Sequence, residues 1–333
     1  LSCALIEGKF MSLLRSVCVA LSACGLAAGA SAQTTYPAKP VRLVVPYPPG
    51  ASNDVLSRIT AQAMIPGLGQ QIVVDNRAGA GGMIGAEHVA RADADGYTIL
   101  NVQSSFTTNA AVRPKLPYDP QKDFAYIGMM ALGPMLLVVH PSLPAKSAGD
   151  VVRIAKARPG QLNYGSSGNG GINHMSTELF ARMAKIDIVH VPYKGIAPAV
   201  TDLIAGNTQL VITSLPSAMA QLKSGRLKAL GVGGAKRSTL APELPTISES
   251  GVPGYVAELW WGLAAPAKTP PAVLDRLSAE LTRSLRSSDV KERYAREGGE
   301  PVIMTRAEFT EFVRQEIERW RKVAREANIQ PEG

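Results

Sequence analysis

Apolar positions along this chain fall into two alternating patterns. Short, nearly unbroken runs read as buried strands, and each is followed by a small-residue loop and a stretch with helical spacing. Val41 to Asp54, VRLVVPYPPGASND, is the clearest case. Its apolar run predicts a strand, Pro46, Pro48, Pro49 and Gly50 a rigid turn, and Ser52, Asn53 and Asp54 the start of a helix burying Val55, Ile59 and Met64. Further strands are expected at Gln71 to Val74, Tyr97 to Val102, Met135 to Val139, Leu162 to Tyr164, Ile186 to Val191, Gln209 to Ile212 and Leu227 to Val232. Helices should follow most of them. The glycines of DNRAGAGG lead into one carrying Ile84, Val89 and Ala90, and another spans Met175 to Met183. Pro- and Tyr-rich 111–124 reads as an irregular excursion.

VVPYPPGA at Val44 to Ala51 and VPYKGIA at Val191 to Ala197 echo one another: strand, Pro-Tyr, glycine, helix. The recurrence on both sides of a break near 130 predicts two similar α/β lobes whose loops face one cleft. A single doubly wound sheet is the alternative. After a connector at Pro242 to Tyr255, Trp260 to Ala265 reads as a strand. Thr269-Pro270-Pro271 opens a helix burying Val273, Leu274, Leu277 and Leu281. Thr305 and Glu308 form a capping box ahead of an apolar stripe of Phe309, Phe312, Val313, Ile317, Trp320 and Val323, expected to pack on its own domain.

Composition narrows the class. With 333 residues, 46% hydrophobic and 19% charged, the chain has material for one to three folded domains. The net charge of +8 comes from scattered basic residues interleaved with acids, and aromatics make up only 5%, so nucleic-acid binding is not expected. Arg15, the apolar run from Val17 to Ala30 and Ala30-Ser31-Ala32 read as a secretory signal cleaved before Gln33, so residues 1–32 are a leader. A lone membrane anchor is the alternative. Residues 1–10 fit an early-assigned start, with Met11 the true one. Leu21-Ser22-Ala23-Cys24 offers a second reading, a lipid anchor on Cys24. Cys3, Cys18 and Cys24 all lie in this leader, which leaves the expected mature chain without a disulfide or thiolate site.

The candidate chemistry is recognition. His88, His140, His174 and His190 lack metal-ligand spacing, although His174 and His190 could meet in space, and no metal or cofactor is expected. Gly165-Ser166-Ser167-Gly168 is one residue short of a nucleophile elbow, so a secreted α/β hydrolase is the weaker alternative. The phosphate-loop reading of the glycine-rich turn fails for want of a following Lys-Ser or Lys-Thr. A carboxylate ligand fits better. Backbone N–H groups at Ala51 to Asp54 and Asn169 to Gly171 can face it at helix starts, and Ser104, Ser105, Ser166, Asn169 and Thr213 add hydroxyl or amide donors. Asp54 caps its helix or receives a ligand amine or hydroxyl. Tyr47 and Tyr193 wall an apolar ligand segment or belong to the core.

An ordered series of motifs resembles one family. It comprises Tyr36-Pro37-Ala38-Lys39-Pro40, VVPYPPG, DNRAGAGG, DGYT at Asp95, LPYDP at Leu116, PGQLNYGSSGNG, VPYKG, LPSAMAQLKSGRLKAL, ELPT at Glu243 and WWGLAAPAKTP. The chain resembles the solute receptors of tripartite tricarboxylate transporters, the Bordetella uptake type. That resemblance implies a two-lobe periplasmic binding protein fold of the type II kind, closing on a carboxylate in the interlobe cleft without catalysis. Lobe 1 would comprise 36–133 plus 234–333 and lobe 2 would comprise 134–233. By position it implicates Tyr47, Pro48, Gly50, Ala51, Ser52, Asn53 and Asp54; Ser104 and Ser105; Ser166, Ser167, Asn169 and Gly170; and Tyr193 with Gly195. The implied partners are the permease subunits or a membrane sensor domain, with the receptor itself a monomer. Ala51 replaces a common glycine, and Ile212-Thr213-Ser214 stands where many members have Phe-Asp-Asn. These departures favour a dicarboxylate, or a small aromatic or hydroxy carboxylate, over an amino acid.

Overall fold

β1 (Val41–Val45) is apolar and buried at every position but Arg42, because it lies inside a parallel sheet, between β2 (Ile72–Asn76) and β3 (Thr98–Gln103). α1 (Ser52–Leu68) returns the chain from β1 to β2 and ends at Gly69, whose left-handed φ of 72° lets its N–H reach the Ile65 carbonyl. A 3₁₀ turn at Ala80–Gly82 and α2 (Met83–Ala90) connect β2 to β3, and α3 (Ser104–Val112) follows β3 directly. This is a computed structural model; it describes residues 36–113 and 115–329, and Lys39 onward forms one unit. The leader, with its expected cleavage site, Cys24 and residues 1–10, lies outside the described residues.

β4 (Phe124–Val139) is the long element of the sheet, and only its last stretch, Met135 to Val139, is expected from the sequence. Residues 124–134 pair antiparallel with β9 (Glu258–Pro266), through two bulges, and Ala131 and Leu132 also meet β10 (Glu300–Pro301). Met135–Val139 then pair with β7 (Leu210–Ser214) and β8 (Lys228–Val232). The rest escaped notice because Gly128, Gly133 and the bulges interrupt the apolar alternation. The order is β2-β1-β3-β9-β4-β7-β5-β6, where β5 is Asn163–Ser166 and β6 is Val189–Pro192.

The remaining helices are α4 (Ala148–Ala157), α5 (Ile172–Ala184), α6 (Ile196–Ala205), α7 (Leu215–Lys223), α8 (Pro271–Arg286), α9 (Ser288–Arg296) and α10 (Arg306–Glu326). The capping box at α10 is present, with Glu308 N–H donating to Thr305 Oγ1 at 3.2 Å and Thr305 N–H to Glu308 Oε2 at 2.8 Å. Its stripe joins two cores. Phe309, Val313 and Ile317 pack with Val44, Leu100 and Trp260; Trp320 and Val323 pack with Met135, Tyr164 and Tyr255. Gly262 makes the first contact possible, since a Cβ there would lie 2.3 Å from the Phe309 ring. Ile84, on the helix after the glycine turn, is 52% exposed; it lies over Gly79, where a Cβ would meet its Cδ1 at 2.5 Å.

Candidate functional site

Strand directions bring the loops together. β1 to β3 are parallel to one another, and β5 runs parallel to β6 and β7, but each set is linked to β4 through antiparallel pairs. Gln103, the last residue of β3, pairs with Trp261, which pairs with Ala131 of β4; Ser214, the last of β7, pairs with Met135. The carboxyl ends of the two strand sets therefore converge on β4 between Ala131 and Met135. From those ends start α1, α3, α5, α6 and α7, whose first N–H groups have no intrahelical acceptor and carry partial positive charge.

The first loop is held by Asp54, which is only 3% exposed. Its carboxylate accepts from Gly50 N–H at 3.0 Å, Asn76 Nδ2 at 2.9 Å and Arg58 Nε at 2.9 Å, and Arg58 Nη2 lies 2.9 Å from its other oxygen. Burial works against the charge, but these four donors outweigh it and hold the acid below the usual carboxylate range. Asp54 is not the helix cap that the sequence offered; its bonds instead clamp the turn from Gly50 to Arg58 and Asn76. The helix N-cap is Ala51, which makes no side-chain cap. Ser52 and Asn53 therefore present the first two N–H groups of α1, while Asn53 Oδ1 receives the Trp261 indole N–H. Gly50 adopts φ 82° in open space. Pro48 sits just ahead of it, its carbonyl 3.5 Å from the Ala51 nitrogen.

Tyr47 is fixed beside the glycine turn. Its hydroxyl donates to the Gly81 carbonyl at 3.4 Å and receives Gln103 Nε2; Ser105 also bonds to it. Burial raises its pKa. Ser104 is fully buried: its Oγ accepts from Trp260 N–H at 2.9 Å and sits 3.5 Å from the Glu258 carbonyl. It joins the start of α3 to β9.

The second loop is built from neutral groups. Ser166 Oγ bonds His190 Nε2 at 2.6 Å and the Gly168 carbonyl at 3.1 Å, and accepts from Gly168 N–H at 3.2 Å. His190 stacks on His174 with ring centroids 3.8 Å apart, and Tyr164 stacks on His190 at 4.9 Å. Gly170 N–H donates to His174 Nδ1 at 3.0 Å, so this nitrogen carries no proton. Burial pushes His174 down to about 3, with His190 adding to the effect, and pushes His190 down to about 4. Ser167 Oγ donates to Asn173 Oδ1 at 2.7 Å, and Asn173 in turn donates to the Ile212 carbonyl. Asn169 lies between two left-handed glycines, Gly168 (φ 120°) and Gly170 (φ 71°). A Cβ on Gly170 would meet Val112 at 2.7 Å, so this loop abuts the end of α3.

Tyr193 N–H bonds the Ser166 carbonyl at 3.2 Å, and its hydroxyl is committed to Asp202. Gly195, at φ 108°, opens α6. Thr213 Oγ1 is buried without a partner among the described residues. The expected residues thus form two groups, around 47–54 with Ser105 and around 166–170 with Tyr193. Arg58, Asn76, Gln103 and Trp261 support the first; beyond the Asp54-to-Arg58 helical spacing and the place of Gln103 at a polar strand end, their part shows no sequence signal. A meeting of His174 and His190 was left open by the sequence; that they carry the second loop was not foreseen.

Most side chains in these loops shape the loops, and of the N–H donors expected at Asn169 to Gly171, those of Gly170 and Gly171 are already bonded, to His174 Nδ1 and to the Gly168 carbonyl at 3.4 Å, which leaves the first N–H groups of the helices as the outward chemistry. Ser166 with His190 has the spacing of a nucleophile and base, but no carboxylate orients His190 among the described residues, and a ring pushed that far down is a poor base. Among those residues no three His, Cys, Asp or Glu are placed to hold a metal, and no helix is long and apolar enough to cross a membrane.

An α/β fold with anion-ready loops at converging strand ends is that of the periplasmic binding proteins, and solved structures bear this out. The chain superimposes on R. palustris Rpa4515 with adipate at a TM-score of 0.78 and 38% identity, covering 89% of this chain and 100% of that one. For MatC from Rhodopseudomonas palustris with bound malate the values are 0.72, 31%, 86% and 99%. Protein BugT of Bordetella pertussis is 38% identical over 316 residues, 94% of this chain and 97% of that protein. The model of the tripartite tricarboxylate transporter family receptor matches residues 56–329, and the chain belongs to that family. It is a binding protein, not an enzyme.

Proposed function

We propose that this chain is an exported receptor that closes two lobes over a small carboxylate and delivers it to membrane permease subunits. The observation that carries this reading is the meeting of helix starts at Ala131 to Met135, with Asp54 neutralised and the loop hydroxyls already bonded. A carboxylate there gains several N–H donors, and each helix start contributes about 0.3–1 kcal/mol. The ligands named for Rpa4515 and MatC, adipate and malate, support a dicarboxylate.

In this reading one lobe holds β1 to β3 and the other β5 to β8, with β4 and β9 passing between them. The boundary near 133/134 coincides with the change of β4 partners. We place the return to the first lobe at Glu258 rather than at 234, because Ile247, Val252, Tyr255 and Ala257 pack in the core with Met135 and Tyr164. Export follows from the signal read in residues 11–32, with maturation before Gln33. A thermal-shift screen of mono-, di- and tricarboxylates, amino acids and aromatic acids, with sugars and alkylamines as uncharged and cationic controls, tests the function. The reading expects dicarboxylates to stabilise the protein and to reduce its radius of gyration; stabilisation only by uncharged or cationic compounds overturns it.

A further inference from the structure

The bond from Trp261 to Asn53 accounts for only one end of the indole. Its N–H reaches Asn53 Oδ1 at the start of α1, and the far edge of its ring lies over Gly133 of β4. A Cβ on Gly133 would meet that edge at 2.8 Å and the Gly298 carbonyl at 3.0 Å, so only a glycine lets ring and carbonyl come together there. Gly133 also stands beside the change of β4 partners.

Gly298 opens the turn from α9 into β10, and this turn touches both sides of the strand crossing. On one side Gly299 rests against Ala131 and Leu56, and Glu300 pairs with Leu132. On the other, Gly298 at φ 72° lies so near the first turn of α7 that a Cβ would meet Pro216 at 2.5 Å. Glu300 Oε1 accepts from the Ser238 hydroxyl and from Thr239 N–H at 3.1 Å. A run of contacts therefore leads from Asn53 through Trp261, Gly133 and Gly298 to Pro216, with Glu300 bonded beside it.

We propose, resting on the two-lobe reading, that the 298–300 turn is a latch of the first lobe that closes on the second, and that Trp261 is the positioning residue joining it to the carboxylate loop. With the latch engaged, the ring edge is confined between β4 and the turn, and the indole N–H is held on Asn53 at the start of α1. When the lobes part, Glu300 exchanges two donors for water, Gly298 leaves Pro216, and one edge of the ring is released. Such coupling is reciprocal: a carboxylate at the start of α1 favours the engaged latch, and the engaged latch tightens the carboxylate.

The indole N–H resonances of the ligand-free protein in solution NMR test the latch. The chain has three tryptophans, and Trp261→Phe identifies the signal of interest. Glu300→Ala removes the acceptor, whereas Glu300→Gln removes the same charge and keeps an acceptor oxygen. The Trp261 signal should move in Glu300→Ala and in Gly298→Ala and stay in place in Glu300→Gln, and the Trp320 signal should move in none of them. Calorimetry with adipate reads the consequence at the site. Glu300→Ala and Trp261→Phe should each weaken binding at least about fivefold, and the double variant no more than the worse single one. Glu300→Gln should bind as the native protein does. A Trp261 signal unmoved by Glu300→Ala, an equal shift in Glu300→Gln, or additive losses of affinity overturn the proposal. A native protein that ignores adipate counts against the carboxylate reading for that acid, and the resonances then decide the latch by themselves.

Discussion

The two loops do the same job by opposite electrostatics. The 47–54 turn is held by a buried ionised acid, Asp54, with an arginine, an asparagine and a backbone N–H around it. The 166–171 turn is held by hydroxyls and a stack of rings that must stay uncharged. Both devices hold their turns without a free charged side chain from the turn itself, although exposed Lys194 lies beside the start of α6. The comparison suggests that a loop can be anion-ready while its own side chains are unavailable to the anion. It also predicts that pH should separate the two loops.

The largest expected effect is acid. His174 and His190 titrate below the ordinary histidine value in the folded protein, so the neutral ring is the stabilising form. Their contribution is complete above about pH 6.5 and is lost as pH falls through the folded values near 4 and 3. In that window the unfolded chain binds protons the folded one does not, at a cost of up to about 1.4 kcal/mol per pH unit per histidine, with His190 contributing less because it is less buried. Asp54 also has a lowered pKa, and its contribution disappears only below the ordinary carboxylate range. Thermal melts from pH 7 to 4.5 should therefore fall more steeply for the native protein than for His174→Gln with His190→Gln. Equal slopes would break the comparison.

Next comes Asp54→Ala. It leaves Arg58, Asn76 and Gly50 N–H without their acceptor, and about 2–3 kcal/mol of stability should be lost in denaturant titrations; half-exposed Arg58 can turn to water, which keeps the cost below that of a fully buried pair. Gly170→Ala should cost about 2 kcal/mol, because it combines left-handed backbone with the Val112 contact. Gly50→Ala meets nothing and should cost about 1 kcal/mol from φ alone. If Gly50→Ala proves the more damaging, the packing difference between the two loops is misjudged. Ser52→Ala should be nearly silent in both stability and affinity, since the site uses its N–H.

How much of this was legible in the sequence depended on distance along the chain. The strand, turn and helix at Val41 to Asp54 and the Thr305 capping box announce themselves because their partners are a few residues apart. Ser104 could be singled out at a strand end, but not its bond to Trp260, 156 residues on. Asp54 stayed ambiguous for the same reason, since Asn76 and the burial that settle its role come from β2 and the sheet. Most of β4 was missed because a strand buried on both faces and broken by bulges has no alternation to read. The ring stack was foreseeable only as a meeting, since nothing local says that Gly170 will donate to His174.

The central claim is that outward N–H groups at these helix starts grip a carboxylate. Titration calorimetry comparing adipate with its diamide on the native protein tests it most directly. The account predicts that the diacid binds at least about tenfold more tightly, as expected when two or more N–H donors face a charge rather than a carbonyl. A diamide that binds equally well or better would contradict it.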